Sequence, residues 1–178
     1  MSTAEHDSEK ILQPFSSLQA VRIGLHAQVR RHSVRALNRL LAHSMALRDL
    51  YKKAHWQTSG RAFYGLHLMF DKHYEKQLEL IDALAERVQI LGGVALATAH
   101  DLVQESHIAR APSGAEPPTQ QLRRLLDAHE FLLNEARPFA REAAGNGDDG
   151  TNDLIVGSVI RTNELQAWFV GEHLATDG

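Results

Sequence analysis

Apolar residues recur at intervals of three and four through most of this 178-residue chain, and no stretch shows the two-residue alternation of a strand. The pattern predicts a long first helix from about Ala27 to Trp56, with Val34, Leu37, Leu41, Ser44, Leu47/Arg48 and Tyr51 on one face. The turn "QTSGR" ends it. A second long helix runs from about Phe63 to Leu91, with Phe63, Phe70, Tyr74, Leu78, Ile81, Ala85 and Val88 as its stripe. Gly92 and Gly93 stop it, because glycine tolerates the left-handed conformation that closes a helix. The long connection from Gly93 to Pro118 contains "APSGAEPP", and "TAHDLVQESH" within it is expected as a short helix. Thr119 is expected to cap a third long helix, with Leu122, Leu125/Leu126, His129, Leu132 and Ala136 inward. Pro138 should kink that helix or weaken its last turns. After the turn "AGNGDDG", a fourth helix runs from about Thr151 to Leu174, with Leu154, Ile155, Val159, Trp168 and Phe169 apolar.

The expected architecture is therefore all-α: a ferritin-like four-helix bundle with a short extra helix between helices two and three. Residues 1–23, broken by Pro14, read as a partly flexible N-terminal tail, and residues 24–178 as the bundle domain. Composition supports a globular core, since 43% of residues are hydrophobic and 23% charged. The absence of cysteine excludes disulfides, thiolate metal sites and thiol catalysis, and fits a reducing compartment. The polar start "MSTAEHDSEK" has no apolar signal region, and no run approaches a membrane span, so a cytoplasmic location is expected.

Chemistry concentrates on the second helix. His67 and Asp71 are four residues apart, as are Asp82 and Glu86, and all four fall within roughly a 100° arc. That arc is expected to belong to the apolar stripe. Four ionisable groups on an inward face are costly unless paired or bound to metal, and imidazole with carboxylate suits iron, zinc or manganese. Asp71 and Asp82 are separated by roughly 16 Å along the axis. Paired metals lie only about 4 Å apart. One straight helix thus cannot bring both pairs to one site. Either each chain carries two sites, or a second copy supplies the missing half through an antiparallel two-fold pairing. His55, near the end of the first helix, can join the same cluster.

"KKAHWQTSGRAFYGLHLMFD" followed by "IDALAERVQILGG" resembles Dps, the mini-ferritin family of DNA-binding proteins from starved cells. The resemblance extends over about Leu37 to Leu174. It implies a hollow homo-dodecamer built from two-fold dimers, with a di-iron ferroxidase centre at each two-fold interface. By the same resemblance, His55, His67 and Asp71 match the ligands from one subunit, and Asp82 and Glu86 those from its partner. Glu86 would bridge two irons, with Asp82 and His55 on one and His67 and Asp71 nearer the other. The implied activity is oxidation of Fe(II), preferably by hydrogen peroxide, with dioxygen as the other oxidant, and storage of ferric mineral. No Glu-x-x-His motif of typical ferritins occurs, and a zinc hydrolase lacks its His-Glu-x-x-His.

Other residues have plainer readings beside the functional one. Trp56 is expected as a core tryptophan near the site, with interception of oxidising equivalents as its second role. His129 is expected as a satisfied core histidine, and His73 and His173 as surface or packing residues. Asp71 has pairing with a lysine as its alternative. Asp148, Asp149 and Asp153 resemble acids that line the family's iron-entry pores, and read alternatively as a polar turn and helix N-cap. The lysine-rich tail with which many family members hold DNA is missing: the N-terminal tail is net acidic and the chain ends "HLATDG". From Ile11 to Arg48 no acidic residue occurs, so Arg30, Arg31 and Arg35 are the candidate DNA contacts, against a solvated outer face. An enzyme and iron store is thus the leading reading, and a nucleoid-binding structural assembly the alternative.

Overall fold

The computed structural model describes residues 11–175, and among these every regular element is helical. They are α1 (Ala27–Gln57), α2 (Phe63–Ile90), α3 (Ala99–Glu105), α4 (Pro118–Gly145), α5 (Asp149–Asp153), a π-helical segment (Leu154–Ile160) and α6 (Arg161–Glu172). The last three run on without a break, since Leu154 and Arg161 both keep right-handed helical angles. They make the fourth long rod of a four-helix bundle. α1 packs chiefly on α2 and also on α4, α4 packs on the fourth rod, and the π-helical segment touches α2. Leu37, Leu41, Leu47, Phe70, Leu132 and Ile155 are sealed in the single core.

The turn after α2 shows why two glycines are needed. Gly93 N–H donates to Val88 O and Gly92 N–H to Gln89 O, the paired bonds of a Schellman closure. Gly92 has φ 81°, and a Cβ there would lie 2.7 Å from Gln19 O. A Cβ on Gly93 would meet Val34 Cγ1 at 2.7 Å. The segment before α1 docks on this turn through Gln19 N–H to Gly92 O at 2.8 Å. α3 begins with a reciprocal capping box between Thr98 and Asp101.

Two expectations need correction, the cap of α4 and the stripe of α2. Thr119 does not cap α4; the helix begins at Pro118, whose missing N–H costs nothing in the first turn. α4 runs through Pro138 to Gly145 as one helix. Pro138 and Asn134, whose carbonyl loses its helical donor, are both exposed, so water can satisfy the freed group. The inward stripe of α2 is Leu66, Phe70, His73, Gln77, Leu80, Leu84 and Val88. The expected stripe was rotated from it by roughly 60°, at 100° per residue. Reading only apolar residues skipped His73 and Gln77, and drew in Phe63 and Leu78, which are exposed.

Candidate metal centre

The link between α1 and α2 folds the end of one helix against the start of the next, bringing His55 and His67 face to face. Their rings stack with centroids 3.7 Å apart and 24° between planes. His55 Nδ1 lies 2.9 Å from His67 O, and His67 Nδ1 lies 3.0 Å from His55 O. A carbonyl can only accept, so each Nδ1 carries the proton and each Nε2 keeps a free lone pair. Orientation of a histidine by a backbone carbonyl, with the other nitrogen left for a metal, is the arrangement metal sites use.

Asp71 lies beside this pair, with Oδ1 3.8 Å from His55 Nδ1. The Lys52 ammonium donates to the same oxygen at 2.6 Å and holds the Asp71 carboxyl below the usual carboxylate range. Asp82 and Glu86 continue the same side of α2 and are exposed. Neither has a side-chain hydrogen bond or ion pair among the described residues. Within one chain no three metal-ligating side chains converge, again among the described residues. Phe63, Tyr64 and Leu78 flank the row and are likewise exposed. This row is a side face of the bundle and not its core, which corrects the expectation of an inward arc.

A ferritin-like domain model matches residues 34–177. The fold superimposes on DpsC from Streptomyces coelicolor with a TM-score of 0.94 and 47% identity, covering 95% of this chain and 98% of that one. It also superimposes on an archaeal Dps homologue from Halobacterium salinarum, with a TM-score of 0.91 and 25% identity over 96% and 95% of the two chains. A nutrient stress-induced DNA-binding protein of Synechococcus is 29% identical over 94% of each chain. The chain belongs to the Dps family.

Several residues singled out on the family pattern are placed differently from expectation. Trp56 is 72% exposed and is not a core residue of the chain. Trp168 is also exposed, its indole N–H donating to Glu172 Oε1 at 2.9 Å. Arg30 cannot contact DNA: it is 6% exposed and donates to Leu91 O at 2.7 Å and Gln19 O at 3.0 Å, tying the N-terminal segment to the end of α2. Arg31 and Arg35 are exposed. Asp148 cannot line a pore, being 1% exposed. It caps α5 through Thr151 N–H and binds Ser33 Oγ and Arg87 at 2.6 Å each. Burial alone would raise its carboxyl, but these donors hold it below the usual range. Asp149 and Asp153 are exposed. The acidic residues 1–10 and the last three residues lie outside the described residues.

Three other histidines, His43, His73 and His129, fall into the core. His129 is fully buried, with Nε2 against the Tyr51 hydroxyl and Nδ1 2.9 Å from Asn163 Oδ1, the satisfied core histidine that was expected. His73 is buried with Nδ1 3.1 Å from the Tyr51 oxygen. His43 donates from Nε2 to Glu135 at 2.8 Å and accepts at Nδ1 from Ser106 Oγ at 3.4 Å. The Tyr51 and Asn163 side of this network was not anticipated. Its signal was three polar residues, His73, Gln77 and His129, at core-spaced positions.

Proposed function

We propose that this chain is the subunit of a cytoplasmic Dps-type ferroxidase and iron store, whose substrate Fe(II) binds at centres shared between two chains. The observation that carries the reading is the reciprocal His55/His67 lock, which leaves two Nε2 lone pairs free beside Asp71. Asp82 and Glu86 lie too far along α2 to reach them within one chain. An antiparallel two-fold pairing of α2 would bring those carboxylates to the partner's histidines. The exposed Phe63, Tyr64, Leu78 and Trp56 give that pairing apolar surface to bury. A homo-dodecamer of such dimers would hold the ferric product inside.

The chemistry balances with two irons. Two Fe(II) each give one electron, the O–O bond of hydrogen peroxide breaks, and two protons from solvent complete two waters. Delivering both electrons together avoids the one-electron cleavage that frees hydroxyl radical. The residues' task is to hold two cations close: imidazoles add no charge, while Asp71, Asp82 and Glu86 offset the positive charge, with Glu86 the candidate bridge. Lys52 must release Asp71 when a cation enters. In the DNA reading, only Arg31 and Arg35 of the three candidates remain, and weak, salt-sensitive binding follows.

Anaerobic Fe(II) titration of the purified assembly, followed by peroxide with optical detection of Fe(III), tests the reading. Wild-type protein should oxidise iron rapidly. The double variant Asp82→Ala with Glu86→Ala should lose at least roughly 100-fold in rate, because both carboxylates on one side of the centre are gone. Oxidation at the wild-type rate in that variant overturns the assignment.

A further inference from the structure

A chain of hydrogen bonds crosses the middle of the bundle, and chemistry alone fixes its protons. It ends at the carbonyl of Val159 in the π-helical segment, which can only accept and takes Asn163 Nδ2–H at 2.7 Å. Asn163 Oδ1 is thereby the acceptor end of its amide, and it receives Gln77 Nε2–H at 3.1 Å and His129 Nδ1–H at 2.9 Å. His129 Nε2 is therefore a bare lone pair, and the Tyr51 O–H donates to it. The Tyr51 oxygen in turn accepts from His73 Nδ1–H at 3.1 Å.

Tyr51 and His129 are both sealed from solvent. Burial pushes the Tyr51 hydroxyl well above its ordinary value, and drives His129 down to about 3 and His73 to about 4. At neutral pH none of them is charged, so the trio does no ordinary acid–base work. A buried phenol with a base in contact can do something else. It can give up an electron if its proton crosses to that base in the same event. Tyr51 also precedes His55 by four residues on α1, one helical turn and about 6 Å along the axis.

We propose that Tyr51, with His129 as its proton acceptor, is a one-electron donor to the His55/His67 iron site when peroxide meets a single Fe(II) there. This rests on the ferroxidase reading. Fe(II) gives one electron and becomes Fe(III). Tyr51 gives the second and becomes a neutral phenoxyl radical. Its O–H bond breaks as an N–H bond forms at His129 Nε2, leaving an imidazolium held by Asn163. The peroxide O–O bond breaks, and two protons from solvent complete two waters. A later Fe(II) returns the electron, and the proton goes back from His129 to Tyr51. The radical is kept dry meanwhile, and hydroxyl radical is not released.

The test loads the assembly with Fe(II) well below one equivalent per chain, adds one equivalent of hydrogen peroxide per iron, and freezes the sample for electron paramagnetic resonance. A tyrosyl signal is expected, narrowed when the protein contains ring-deuterated tyrosine. Of the three tyrosines, Tyr51, Tyr64 and Tyr74, only Tyr51→Phe should abolish it, and spin-trapped hydroxyl radical should rise severalfold in that variant. High-field spectra of the wild type serve if Tyr51→Phe does not fold: the radical should show exchangeable hydrogen-bond protons and a lowered g value. Rapid iron oxidation without a tyrosyl signal, a signal that survives Tyr51→Phe, or a wild-type radical free of hydrogen bonds overturns the inference alone. Failure of peroxide to oxidise the iron overturns the ferroxidase reading and this inference with it.

Discussion

Two sets of histidines in this chain have the same side chain and opposite fates. His43 and His129 are sealed in the core with both ring nitrogens committed, to Glu135 and Ser106 in one case and to Tyr51 and Asn163 in the other. His55 and His67 spend one nitrogen each on a backbone carbonyl and leave the other free. The difference lies in what surrounds the rings. In the core an unpartnered nitrogen would cost about 1–3 kcal/mol, and both nitrogens of His43 and of His129 find a mate. At the junction of α1 and α2 the rings lie at the edge of an exposed row, where a free lone pair remains available to a cation. A histidine's use is thus read from its second nitrogen, and its position on a helix face says less.

Substitution should separate the two sets cleanly. His67→Ala is expected to cut peroxide-dependent iron oxidation by roughly two orders of magnitude or more. Its stability should change by less than about 1 kcal/mol, as for other half-exposed sites. His43→Ala should do the reverse, costing about 2–4 kcal/mol by leaving Glu135 and a cavity behind, with the oxidation rate of the folded protein unchanged. Denaturant unfolding and stopped-flow iron oxidation on both variants check this. Equal stability losses would erase the distinction.

Acid sharpens the same contrast with a smaller effect. His129 and His73 have folded values of about 3 and about 4, because burial penalises their charge. The unfolded chain protonates each near 6.5, so it binds more protons than the folded chain below that pH. Stability should therefore be flat above about pH 7 and fall as pH drops through 6.5 towards 4, by about 1.4 kcal/mol per unit for each histidine. Unfolding measured between pH 7 and 5 in the His129→Gln variant should show a shallower slope than wild type. An identical slope would mean that His129 is not held neutral.

The bundle was legible because four helices repeat their apolar residues at 3.6-residue spacing, and because the two glycines after α2 have a steric reason to be there. What misled was apolar residues left exposed on the chain. An exposed apolar residue and an inward one look alike in the pattern. So Phe63 and Leu78 were drawn into the core stripe, and Trp56 was expected to be buried. Polar core residues misled in the opposite sense: His73 and Gln77 look like surface in the pattern, yet close a hydrogen-bond network. Arg30 and Asp148 carry charge that reads as surface, and each is spent on internal partners that sequence does not reveal. Spacing showed that His67, Asp71, Asp82 and Glu86 share one side of α2, but not that this side faces out of the bundle.

The shared centre is the central claim, and subunit mixing tests it most directly. One variant lacks His55 and His67, the other lacks Asp82 and Glu86, and each alone should be inactive. In an isologous pair, a mixed dimer has one site with both halves intact and one with neither. Dissociating the two variants and reassembling equal amounts together should restore about one quarter of wild-type iron oxidation, from that symmetry. Mass spectrometry verifies that mixed assemblies have formed. Recovery near one quarter is the predicted result, and zero recovery in verified mixed assemblies would contradict a centre built from two chains.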